Sequence, residues 1–225
     1  AMVAAVKRYR AIFVMSEDMS SERKQILLAY GAELVLTPAD KGTIGAIEEA
    51  RRLSEEKGYF FVGQHYNPAN PAAHQITANE IYEDFGEKLD AIVCTTGTGG
   101  TISGLSTYLK DRIPDLMIIA TEPEDSPILS KGIACKHKIM GTAPGFIPDT
   151  LDQSAYDDII PVSTEAAFQS ARKLATDEGI FCGISCGAAV AGMLDYASKE
   201  STRGAVLLAI LPDTGERYLS TDLWA

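Results

Sequence analysis

The chain has 225 residues, of which 46% are hydrophobic, enough to bury one large core or two smaller ones, so disorder and a fibrous repeat are excluded. Twenty Lys and Arg against 31 Asp and Glu leave a formal charge of −11, which repels polyanions and argues against nucleic acid or an anionic membrane as partner. The longest apolar run, residues 205–211, is stopped by Pro212 far short of the roughly 20 residues that cross a bilayer.

The amino end, residues 1–10, lacks the apolar core and small-residue cleavage site of a secretory signal and reads as a helix already under way, the mark of a piece of something longer. Short β-branched or aromatic runs follow at 11–15, 33–37, 59–63, 90–95, 116–121, 158–162 and 205–211, each predicted to be a buried strand. Helical patterns separate them. Ser20 or Ser21 precedes one that ends at Gly31, and Thr43 precedes another that ends at Gly58. Continuous apolar strands alternating with helices predict parallel sheets covered on both faces.

Residues 67–74, with Pro68 and Pro71 around Asn70, read as too stiff for either element and as a domain crossing. Residues 123–157 lack a clear period and read as a long ordered loop of the kind that lines sites. Cys94, Cys135, Cys182 and Cys186 form no C-x-x-C pair and read as reduced thiols of a cytoplasmic protein.

The strongest chemical signal is the run from Cys94 to Thr101, between a predicted strand and a predicted helix. Gly97, Gly99 and Gly100 allow backbone amides to converge, the helix start adds partial positive charge, and Thr98 and Thr101 add hydroxyl donors. This is a phosphate cradle in pattern. It has no Walker A lysine, and a dinucleotide fingerprint would need glycine where Ile102 stands. Glu122, at the end of the next strand, keeps a ribose-binding acid and a nicotinamide enzyme in view as the weaker alternative. Ser185, in a second Gly-Ser turn, is either a helix N-cap or a ligand. Gln64 closes a predicted strand at the edge where such sheets hold ligands. His65, His74 and His137 read as structural, without metal-site spacing, and Asp213 and Glu216 as solvated turn residues.

Five ordered stretches, residues 97–104, 121–129, 137–148, 183–189 and 211–221, together resemble the cysteine synthases, or O-acetylserine sulfhydrylases. Residues 19–37 and 67–71 agree with them, and the relationship extends along the whole chain. The resemblance implies two three-layer α/β domains with mainly parallel sheets, the tryptophan-synthase-β-like fold type II of pyridoxal-phosphate enzymes, with the first strand and helix of the small domain missing. Residues 1–68 would be the remnant of the small, substrate-side domain and 69–225 the large cofactor-binding one. Gly97, Thr98, Gly99, Gly100 and Thr101 would hold the phosphate of pyridoxal 5'-phosphate, and Ser185 its ring nitrogen. Gln64, Gly141 and Thr142 would meet the substrate.

The resemblance also places the Schiff-base lysine before Ala1, so no catalytic residue is expected in this chain and it is expected to be inactive alone. The parent would make L-cysteine from O-acetylserine and sulfide. Cystathionine β-synthase-like replacement with another thiol is an alternative, and a non-catalytic binding or regulatory protein is another. Implied partners are a small amino-acid substrate with sulfide or a thiol, a second copy of the chain, and the C-terminal peptide of serine acetyltransferase. Where cysteine synthases usually carry glycine and alanine, this chain has Ala143 and Pro144, which stiffens the substrate loop.

Overall fold

A computed structural model describes residues 1–225 as two compact units, Ala1–Gly63 with Glu216–Ala225, and Gln64–Gly215. The expected boundary at 68/69 falls at the start of a helix, five residues after the division between the two units.

In the first unit a short helix α1 (Met2–Val6) precedes strand β1 (Ile12–Ser16), helix α2 (Ser21–Ala29), strand β2 (Glu33–Thr37) and helix α3 (Gly42–Lys57). Strands β1 and β2 pair in parallel, Val14 opposite Val35. Ser20 caps α2 by accepting from the Arg23 amide at 3.4 Å, as the sequence indicates, and Gly58 ends α3 in the left-handed conformation. The last ten residues return here. Ser20 donates to the Arg217 carbonyl, and Arg23 donates to the Tyr218 hydroxyl at 2.6 Å.

The strand expected at 59–63 does not form. No ladder pairs with it, and Phe60 is 85% exposed. Apolar composition marks a segment that can be buried, but a strand also needs a neighbour to satisfy its backbone.

The second unit opens with helix α4 (Ala69–Phe85), so the stretch at 67–74 expected to fit neither element is a helix start. Its prolines sit where a helix tolerates them: Pro68 precedes it and Pro71 lies in the first turn, whose N–H groups have no intrahelical acceptor. The Asn67 carboxamide accepts from the Ala69 amide at 2.9 Å instead.

Next come β3 (Ala91–Thr95), α5 (Gly100–Leu109), β4 (Met117–Pro123), the one-turn α6 (Ile128–Lys131), β5 (Asp158–Val162), α7 (Thr164–Glu178), α8 (Ile184–Ala197) and β6 (Leu207–Ala209). The last strand covers only three residues of the seven expected. The sheet is wholly parallel, in the order β5-β4-β3-β6. Alternation along the strands assigns its faces: Ile92, Cys94, Ile118 and Ala120 join Ile102, Leu105 and Leu109 of α5 in the main core, with Ala78 and Ile81 of α4 behind them. Val93 and Thr121 point the other way, where a side chain on Gly192 of α8 would meet them. This unit is therefore a three-layer α/β sandwich, as expected.

Candidate functional site

Strands β3 and β6 are parallel neighbours, so the loops that follow them leave the same edge of the sheet. That edge, outside the carboxyl ends of the strands, is where open parallel sheets bind ligands. Residues 96–99 leave β3 there, and the residues that follow β6 pair with the turn ahead of α8, where Thr214 forms an isolated bridge with Cys182.

The loop after β3 is tight for a physical reason. Gly99 has φ +78°, favourable only for glycine, and a side chain there would strike Leu151. A side chain on Gly97 would strike the Gly141 carbonyl oxygen. The substrate-side loop is thus drawn against the glycine loop, and the Ala143 amide donates to the Thr96 carbonyl at 2.9 Å. Thr150 closes the opposite side, its hydroxyl donating to the Thr98 carbonyl at 2.7 Å and its amide to the His65 carbonyl at 3.2 Å. Asn70 of α4 ties Gln64 to Thr98 through two hydrogen bonds.

Within this frame the backbone N–H groups of Gly97, Thr98, Gly99 and Thr101 have no acceptor in the chain, and the Thr98 hydroxyl has none for its proton. Gly99 is buried and the other three are partly buried, so these N–H groups are only partly open to water as a substitute acceptor. Here they converge on the start of α5, whose dipole adds about half a positive charge. The arrangement fits a dianionic monoester. The expected cofactor-binding residues Gly97, Thr98, Gly99, Gly100 and Thr101, with Gln64, Gly141 and Thr142, are thereby brought together in one neighbourhood.

Ser185 lies on the second turn at the same sheet edge. Of its two readings, the cap is removed: Gly183 is the N-cap of α8, without side-chain assistance, and Ser185 is the second helical residue. Its hydroxyl is engaged by no hydrogen bond although the residue is only 4% exposed. A hydroxyl left free in a residue otherwise packed away from solvent is suited to a ring nitrogen of a bound ligand.

Glu122 does not serve the nicotinamide alternative. It is buried, its carboxylate accepts from the Leu129 amide at 2.7 Å and the Ser130 amide at 3.3 Å, and the Ser130 hydroxyl donates to it as well. Both oxygens are taken up in closing α6. Asp213 is also more engaged than a solvated turn residue: the Cys186 thiol donates toward its carbonyl at 3.3 Å and its carboxylate at 3.4 Å. His65 is buried and packs against Phe146 with ring centroids 5.3 Å apart. His74 places Nε2 3.1 Å from the Thr101 hydroxyl. Burial lowers the affinity of His65, His74 and His137 for a proton below that of a free imidazole. Asn70 and Thr150 are the members of the site that no motif marks.

Comparison with known proteins shows the family. The family model for pyridoxal-phosphate dependent enzymes matches residues 1–213, and the chain belongs to that family. The cysteine synthase of Staphylococcus aureus (strain Mu50) is 47% identical over 227 aligned positions, which take in all of this chain and 73% of the relative. Among solved structures, an O-ureido-L-serine synthase superposes with a TM-score of 0.95 at 44% identity, covering 99% of this chain and 71% of that one. A cysteine synthase from Entamoeba histolytica superposes with a TM-score of 0.92 at 43% identity, covering 98% of this chain and 66% of the other. The tryptophan-synthase-β-like fold and the cofactor class implied by the motifs are those of the family.

Proposed function

We propose that this chain holds pyridoxal phosphate and its amino-acid substrate for the formation of L-cysteine from O-acetylserine and sulfide. The observation that carries the reading is the convergence of four unpartnered backbone N–H groups and the Thr98 hydroxyl on one helix start. In this reading Gly97, Thr98, Gly99, Gly100 and Thr101 bind the phosphate. Ser185 Oγ donates to the ring nitrogen and, being neutral, holds it without protonating it. The cofactor, when bound, supplies the electron sink that lets a β-substituent leave and a nucleophile take its place.

Gln64 presents an exposed carboxamide whose backbone is fixed by Asn70, which suits a substrate carboxylate. Gly141 and Thr142 border the same space, and the Thr142 hydroxyl, donating to the Ile139 carbonyl at 2.7 Å, keeps that loop in shape. These are binding roles, and no residue of the chain is assigned the α-proton. By family likeness the reading extends to a second copy of the chain and the C-terminal peptide of serine acetyltransferase as partners, and to the cytoplasm as location.

Equilibrium dialysis against pyridoxal phosphate and against pyridoxal tests the cradle. The phosphorylated form should be retained at least about tenfold more tightly, the worth of one hydrogen bond to a charged group. Equal retention of the two would refute the assignment.

A further inference from the structure

We propose that Asn70 is a positioning residue that fixes the polarity of the Thr98 hydroxyl, so that its proton is presented to the phosphate. This deepens the reading of residues 96–101 as a phosphate cradle and rests on it.

The polarity follows from atoms that have no choice of role. The Gln64 carbonyl oxygen can only accept, so the Asn70 side-chain atom 2.8 Å from it is the amide nitrogen, Nδ2. The same Nδ2 lies 2.9 Å from Thr98 Oγ1 and directs its second N–H there. The Gly100 amide, which can only donate, approaches that oxygen at 3.3 Å. A hydroxyl oxygen offers two lone pairs and one proton. With both lone pairs engaged by N–H groups, the proton leaves in the remaining direction, and no acceptor of the chain receives it. Thr98 is therefore held as a donor before any ligand arrives, the condition for stabilising an anion without reorganisation.

The packing of α4 on α5 serves this contact. A side chain on Gly100 would fall on the Asn70 carboxamide, and one on Gly104, a turn later, would strike the Pro71 carbonyl. Glycine at both positions lets the first turns of the helices approach closely enough for a side chain as short as asparagine to reach Thr98. Aspartate would fit the same space with the opposite effect: lacking N–H, it would accept the Thr98 proton and turn it inward.

The test measures affinity of the full chain for pyridoxal phosphate and for pyridoxal; the ratio reads the grip on the phosphate alone. N70A and T98V should each lower that ratio roughly tenfold. The double variant should be no worse than T98V, because Asn70 acts through the hydroxyl that T98V removes. Equal losses from N70A in the wild-type and T98V backgrounds, or an unchanged ratio, would overturn the proposal. A wild-type ratio near one would overturn the cradle itself and this inference with it, so the two failures are distinct. If circular dichroism shows N70A unfolded, the isosteric N70D takes its place. It should lower the ratio more in the wild-type background than in T98V, whereas equal loss in both, the signature of charge repulsion alone, would overturn the proposal.

Discussion

Gly187 of α8 lies against the backbone oxygen of Ala167 on α7, with the Ala171 amide and methyl beside it, so closely that no β-carbon fits. The helix that carries Ser185 is thereby seated on α7 by backbone contact. G187A forces the two helices apart and should destabilise the protein by about 1–3 kcal/mol, the usual cost of overpacking. Urea unfolding checks this, with an unchanged midpoint as the contrary result.

A methyl group on Gly97 meets the Gly141 carbonyl, which is backbone and cannot swing aside. G97A should therefore move the substrate-side loop and the cradle apart together. Affinity for pyridoxal phosphate should drop about tenfold or more, since each donor that loses its geometry removes a hydrogen bond to a charged group. Retention at the wild-type level would show that the two loops move independently.

The three histidines make stability depend on pH. His65, His74 and His137 each bind a proton less readily in the folded chain than the usual imidazole, chiefly through burial. Below about pH 6.5 the unfolded chain takes up protons that the folded chain refuses, so stability is fully present above that pH and declines as the pH falls. Thermal unfolding should move to lower temperature between pH 7 and pH 5, beyond the change caused by the carboxylates. For His137 the loss is reinforced by Nδ1, which is buried without a partner.

Thiol reactivity should be ordered by burial. Cys135 is exposed and should react first with a disulfide reagent. Cys94, on β3 in the core, has its thiol pushed up to about 12 by burial and should stay silent until the chain unfolds. Between the two buried thiols beside the site, proximity to Cys186 lowers Cys182, while that proximity and burial push Cys186 up and its S–H is held by Asp213. Mass spectrometry after timed alkylation should find Cys182 modified before Cys186; the reverse order would contradict this asymmetry.

Much of the second unit is legible in the chain itself because its signals are local. An apolar run, a burst of glycine and threonine, and a helical pattern between residues 90 and 110 specify β3, the cradle and α5 without distant information. What escapes reading depends on partners far along the chain. Asn70 acts on Thr98, 28 residues away, and Thr150 on Thr98 from 52 residues away; nothing in their neighbours announces either bond. The missing strand at 59–63 has the same origin, since composition describes the segment and not its neighbours. At 67–74 the reverse holds: two prolines signal a break, yet their spacing places them where a helix has no use for N–H groups. Ser185 stands open between cap and ligand in the sequence because capping is decided by backbone angles at Gly183.

The closing segment, Glu216–Ala225, belongs with Ala1–Gly63, while Gln64–Gly215 is continuous. During synthesis the ribosome therefore releases every residue of Gln64–Gly215 before the segment Glu216–Ala225 that groups with Ala1–Gly63. Tyr218, wholly buried and bonded to Arg23, emerges only after that whole unit. Residues 1–63 must therefore wait for a segment translated some 150 residues later, so a nascent chain stalled before Glu216 would hold a complete second unit and an incomplete first one.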